Sequence, residues 1–141
     1  MRFCIEAFAN ASVREVWCAH HNPAIAQRWV RSDDWFADRC EIDARTSGAF
    51  RVRIRSIGSQ AAYEIEGVYV ELRPPDLSVQ ILDGDMHVRT EFVSEGEGTR
   101  IRQYVESNAM SDPQAQQACW QGVLNNFAAY FTGRGQNRAR K

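Results

Sequence analysis

The sequence predicts an α+β fold: a seven-stranded, curved antiparallel sheet closed over by one long C-terminal helix, with two short helices between strands 1 and 2. Three observations predict it. From residue 39 to residue 106 six runs of strand-forming residues follow one another, separated by turns of only a few residues, so that consecutive strands must be antiparallel neighbours. "SDPQAQQACWQGVLNNFAAYFTG" repeats Trp120, Val123, Leu124, Phe127 and Phe131 along one side at helical spacing. Between the first strand and this meander, helix-opening signals occur twice.

"RFCIEAF" alternates and is rich in strand formers, which places the first strand at 2–8. "SVRE", Ser12 to Glu15, has capping-box spacing, and the helix it opens carries Val13, Val16, Trp17 and His20 on one face. In "NPAIAQRWV", Asn22 caps a second helix and Pro23 takes the first helical position, where a missing N–H costs nothing. After an irregular stretch around "SDDWFAD", strands are expected at 39–45, 49–56, 61–72, 77–82, 86–94 and 99–106, punctuated by "TSG", "IGSQ", "RPPD", "DGD" and "EGEG". Asp112 caps the last helix, Pro113 stands in its first turn and Gly133 marks its stop. Residues 1–133 then form a single domain, and 134–141, "RGQNRARK", a frayed basic tail.

The length of 141 residues suits one domain able to bury a core without disulfides or a structural metal. With 17 basic and 18 acidic residues the formal net charge is −1, so no global field draws nucleic acid or an anionic membrane. No run approaches the roughly 18 apolar residues of a membrane span, and the N-terminus lacks the apolar stretch of a secretion signal. The expectation is a cytoplasmic protein that neither inserts into membranes nor binds nucleic acid. Cys4, Cys18, Cys40 and Cys119 are scattered in apolar contexts without a C-x-x-C pair, and read as buried, reduced thiols.

"GAFRVRIRS" puts Arg51, Arg53 and Arg55 at alternate positions, which could be a phosphate grip or the wet side of a sheet. "YEIEG" on the next strand sets Glu64 and Glu66 beside them, and a cross-strand opposite-charge pair contributes roughly 0.2–1 kcal/mol. A phosphate-binding surface would carry one sign. This one neutralises itself, so Phe50, Val52 and Ile54 point the other way, toward a cover that only the last helix is large enough to provide. A sheet wrapped about one helix leaves room at its open end for an elongated apolar cavity.

By alternation the inward set is Ile42, Phe50, Val52, Ile54, Val79, Ile81, Val88, Thr90, Phe92, Ile101 and Gln103, facing Trp120, Leu124 and Phe127. Tyr63 and Tyr69 join them unless a bulge at Gly67 changes the parity, while Trp29 and Trp35 close the mouth from the short-helix region. The bland alternative is that all of these are ordinary core. Thr90 and Gln103 are polar on an apolar face and need partners, which a ligand or a trapped water would supply. The sequence contains no Gly-flanked nucleophile, H-E-x-x-H or phosphate loop. "CAHH", Cys18 to His21, reads as a helix-end histidine pair rather than a metal site, His87 falls on the wet side, and Asp43 with Arg45 reads as an ion pair on one strand side. No catalytic residue, metal or cofactor is therefore assigned.

"SVREVWCAHHNPAIAQRWV", "CEIDARTSGAFRVRI", "EGVYVELRPPDLSV", "GEGTRIRQYVES" and "CWQGVLNNFAAYF" resemble, in order, five segments of START-like SRPBCC domains similar to the C-terminal domain of the activator of heat-shock protein 90 ATPase. The resemblance spans residues 3–131, with Ser47 in place of the first glycine of a G-G pair and Gln103 in place of an aliphatic residue. It implies a helix-grip fold. It also implies a choice of functions, since such domains include lipid carriers, cyclases and a co-chaperone. The expected function is binding of a small hydrophobic or amphipathic molecule between sheet and last helix, by a monomer or weak dimer. The alternatives are a chaperone cofactor, or a cyclase-like enzyme if Gln103, Thr90, Tyr63 and Tyr69 converge with an Asp, Glu or His.

Overall fold

In the computed structural model, which describes residues 1–83, 85–108 and 112–139, the elements run β1 (Arg2–Ala9), α1 (Val13–His20), α2 (Pro23–Trp29), β2 (Trp35–Ile42), β3 (Ala49–Ser56), β4 (Ala62–Arg73), β5 (Leu77–Leu82), β6 (Met86–Glu95), β7 (Gly98–Glu106) and α3 (Pro113–Ala139). The seven strands form one antiparallel sheet in the order β1-β7-β6-β5-β4-β3-β2. Strands 2 to 7 are a meander, as their short turns require; β1 closes onto β7, with Phe3 opposite Val105 and Ile5 opposite Gln103. The long helix α3 lies along β1 and against α2.

The expected caps form. Ser12 Oγ accepts from the Glu15 N–H at 3.2 Å, Asn22 Oδ1 accepts from the Ala24 and Ile25 N–H groups at 2.9 and 3.2 Å, and Asp112 Oδ1 accepts from Gln114 N–H at 3.0 Å. Each satisfies a donor at a helix start that the helix itself cannot. Gly133 does not end α3, which continues to Ala139; residues 140 and 141 of the expected tail lie outside the described residues. One glycine costs a helix only about 1 kcal/mol relative to Ala, too little to stop it.

Two strand assignments shift. Strand β2 begins at Trp35 and ends at Ile42, not 39–45, so Trp35 belongs to the sheet and Asp43 and Arg45 to the turn after it. That turn is held by Arg45 N–H to Asp43 O at 2.8 Å and Gly48 N–H to Arg45 O at 2.8 Å, while the expected Asp43–Arg45 ion pair forms at 2.8 Å. A bulge at Asp38 aims its carboxylate across to β3, where Oδ1 accepts from Arg53 Nε at 2.8 Å and Oδ2 from Arg55 Nε at 2.9 Å. The two guanidinium bonds hold the Asp38 carboxyl below its ordinary range.

The turn between β2 and β3 depends on two backbone positions. Ser47 has φ 69°, in the left-handed region that favours glycine, and a Cβ at Gly48 would overlap the Asp43 carbonyl oxygen and approach Arg45 O to 2.8 Å. Ser47→Gly is expected to raise stability by up to about 1 kcal/mol, while Gly48→Ala lowers it by roughly 3 kcal/mol or more. Denaturant titration of the two variants checks both signs.

The arginines of β3 face water as expected. Arg51 stands opposite Glu66 and Arg53 opposite Glu64, and Arg51 Nε lies 3.0 Å from Glu66 Oε1. The cysteines do not follow their apolar contexts: Cys4, Cys18 and Cys119 are exposed and Cys40 is half-buried. Strand parity turns Cys4 to the outer face, while burial pushes the Cys40 thiol up to about 11.

Candidate functional site

The register decides what faces the helices. Row by row across the sheet, Leu72, Ser78, Thr90, Gln103 and Ile5 stand opposite one another, and next to them Tyr69, Gln80, Val88, Val105 and Phe3. Val79 and Ile81, expected inside, are therefore on the outer face, and Ser78, Gln80 and Leu82 take the inner positions. The physical cause is a bulge at Val70, between Tyr69 and Glu71 rather than at Gly67, which resets the parity with which β5 meets β4. Among the described residues no Arg, Lys, Asp or Glu occupies an inner position on any of the seven strands.

Most of the expected lining residues do face inward, but they divide into two groups. Val52, Tyr69, Thr90, Phe92, Gln103, Leu124, Phe127 and Trp29 are buried, as are Val88 and Ile101. Phe50, Ile54, Ile42, Trp35 and Trp120 are half-buried, and Tyr63, opposite Ile54 on the inner face, is 63 % exposed. Because α3 runs along β1, the inner face of β3 and β4 is the part left partly open.

Thr90 and Gln103 partner each other: Gln103 Nε2 donates to Thr90 Oγ1 at 3.2 Å. Their register makes this a cross-strand pair, so neither needs a ligand to account for its burial. Nor do the four residues of the cyclase-like alternative meet, since Tyr63 is at the exposed end.

The histidines carry more than a helix-end role. His20 and His21 are both buried, at the end of α1 where it lies against β6. His20 stacks on Trp29 at 5.4 Å and meets Phe92 and Phe127 edge-on at 5.4 and 5.2 Å. His21 lies 4.1 Å from the Trp17 ring and 5.7 Å from Tyr69. Loss of hydration holds both imidazoles below the ordinary histidine range, in His20 with a further contribution from His21, while the Trp17 carbonyl partly opposes the shift in His21. Both are neutral at physiological pH. Burial likewise raises the Tyr69 hydroxyl.

Among the described residues, four buried polar atoms in this region have no partner: His20 Nδ1, His21 Nε2, Trp29 Nε1 and Ser78 Oγ. The sequence put His20 on the apolar face of α1, but nothing in it showed that two adjacent helix-end residues would both be enclosed. Cys18 is exposed while the histidines are buried, so "CAHH" does not converge, and no cluster of three or more potential metal ligands occurs among the described residues.

Two concavities lie on the outer face. One, of about 610 Å³, is lined by Arg73, Asp76, Arg89, Glu91 and Ser94 among others; the second, of about 540 Å³, by Arg2, Cys4, Val79, His87, Tyr104 and Glu106 among others. Their charges pair internally, Arg89 with Glu91 at 3.1 Å and Arg2 with Glu106 at 3.1 Å.

A seven-stranded antiparallel sheet bearing two short helices after its first strand and a long terminal helix, with an uncharged inner face, defines a START-like helix-grip domain. Residues 10–132 match the family described as activator of Hsp90 ATPase homolog 1-like protein, and the chain belongs to that family. It is similar to the AHSA1-like protein from Aeromonas hydrophila, at 28 % identity over 96 % of this chain and 94 % of that one, with a TM-score of 0.88. The CV1439 protein from Chromobacterium violaceum shares the fold at 22 % identity over 93 % and 97 % of the two chains, TM-score 0.82. So does Chr148 from Cytophaga hutchinsonii, at 23 % over 96 % and 94 %, TM-score 0.80. Nothing among curated proteins matches the chain. No helix among the described residues is long and apolar enough to cross a membrane.

Proposed function

We propose that the protein binds a small hydrophobic or amphipathic molecule against the inner face of β3 and β4, entering from the side where Tyr63 is exposed, without chemical conversion of that molecule. The observation that carries this reading is the inner face itself. It bears no formal charge among the described residues, and its apolar side chains run from half-buried Phe50, Ile54 and Ile65 to buried Val52 and Tyr69. Such a surface favours apolar ligands by roughly 25 cal/mol per Å² covered.

The test is titration with a neutral fluorescent probe such as N-phenyl-1-naphthylamine, alongside native mass spectrometry of purified protein. Saturable 1:1 binding is expected, weakened about tenfold or more by Ile54→Asp, because a carboxylate there must be desolvated beside the ligand. Val93→Asp, on the outer face, should leave it unchanged. Absence of binding, or equal losses in both variants, would overturn the reading.

A second reading, a chaperone cofactor, is supported by the description of the family; co-purification with an Hsp90-type chaperone tests it. A monomer or weak dimer in the cytoplasm accords with both. On the two edge strands, helix side chains already occupy backbone carbonyls: Gln121 Nε2 donates to Glu6 O at 2.8 Å and Gln27 Nε2 to Asp38 O at 3.1 Å. An edge so occupied offers less for another chain to pair with.

A further inference from the structure

The polar atoms enclosed beside the inner face specify what kind of molecule suits it. His21 Nδ1 lies 2.8 Å from the Trp17 carbonyl oxygen. A carbonyl only accepts, so Nδ1 must carry the proton. With the ring neutral, Nε2 is then an acceptor lone pair, and it is buried without a partner. Trp29 Nε1 can only donate, and it too is unpartnered; Ser78 Oγ, in the same inner-face row as Thr90, has none either. Leaving a buried donor or acceptor unpaired costs about 1–3 kcal/mol each. With His20 Nδ1, these are the buried unpartnered polar atoms among the described residues, and His21 is the one that lies against both Phe92 and Tyr69 of the sheet, while Trp29 packs against His20 and Phe127. They are hydrogen-bonding capacity that the fold retains and does not use.

Charge restricts the choice further. Among the described residues the inner face offers no cation to neutralise a carboxylate or phosphate, and the two histidines nearest to serving that role are held neutral by burial. An anionic headgroup would lose its hydration there and gain no counter-ion. A hydroxyl is uncharged, needs no counter-ion and donates to a lone pair such as that of His21 Nε2.

We propose that the ligand is an uncharged molecule carrying a hydroxyl, whose O–H donates to His21 Nε2, and that the site rejects the corresponding carboxylate. This rests on the reading of the inner face as a ligand site and adds the chemical class. His21 is then the specificity-determining residue, and the half-buried apolar residues of β3 and β4 hold the remainder of the molecule.

The experiment displaces bound N-phenyl-1-naphthylamine at neutral pH with three probes of equal chain length: 1-decanol, decyl methyl ether and decanoate. Decanol is expected to bind about tenfold more tightly than the ether, the worth of one hydrogen bond, and more tightly still than decanoate. His21→Phe should bring decanol down to the affinity of the ether and leave the ether unaltered. Since the variant also removes the bond to Trp17, ring-nitrogen NMR of the wild-type protein provides a second readout. The His21 Nε2 resonance should shift on addition of decanol and not of the ether. Equal binding of decanol and ether, or an unmoved resonance, would mean that water alone fills the space and would overturn the proposal while leaving the apolar site intact. Binding of none of the three would instead overturn the apolar site itself. Tighter binding of decanoate would overturn the argument from charge.

Discussion

Acidification from about pH 7.5 to about pH 5 is expected to destabilise the protein steeply, and His20→Phe to remove much of that dependence. In the folded chain both His20 and His21 titrate below the ordinary value of 6.5 because burial strips hydration from the imidazolium. The unfolded chain binds protons first as pH falls. Their contribution is therefore complete above about 6.5 and declines from there toward the lowered folded values, at up to about 1.4 kcal/mol per pH unit for each proton taken up. The rings facing the pair are Trp17, Tyr69, Trp29, Phe92 and Phe127, of which Tyr69 alone is titratable and is itself held neutral by burial. Asp38 and Glu95, both lowered by hydrogen bonds from arginine, lose their contribution only at more acid pH, as they protonate. Urea midpoints measured across this range separate the two windows. A flat profile in the wild-type protein would contradict the enclosed neutral pair.

Phe127→Ala is expected to cost about 3–5 kcal/mol, enough to remove a large part of the stability of a domain this size. Phe127 is fully buried and joins three elements: its ring lies 4.7 Å from Trp29 of α2, 5.2 Å from His20 of α1 and 5.2 Å from Phe131 further along α3. Truncation removes the apolar contact area and leaves a void that tight packing on all sides prevents from collapsing. The denaturation midpoint should fall with the slope unchanged, because the surface exposed on unfolding changes little. Truncation of Tyr63, which is 63 % exposed, should move the midpoint far less. A similar loss at both positions would mean that α3 does not clamp the short helices as described.

These two predictions differ in how far the sequence foretold them. Phe127 is legible from spacing alone, since it repeats with Trp120, Leu124 and Phe131 on the helix side that must cover an apolar sheet. The outward arginines and their glutamate partners are legible for the same reason: alternation and a short hairpin set the register before any contact is known. The histidine pair is not, because helix periodicity accounts for His20, while the enclosure of its neighbour depends on where α1 comes to rest on β6.

The chain of residues determined by itself the order of elements, the caps, the antiparallel meander and the uncharged character of β3's inner stripe, all of which follow from local propensity and from periods of two and 3.6 residues. Tertiary structure decided the rest. A bulged residue at Val70 reversed the faces of β5, another at Asp38 drew two arginines onto one carboxylate, and α3 settled along β1 and left part of the sheet open. A bulge adds a single residue to one strand and leaves little mark on local composition, yet it turns every later side chain in the pairing to the other side. Which polar groups end up enclosed is fixed only when distant elements come together, by a balance of packing and desolvation that no local pattern contains.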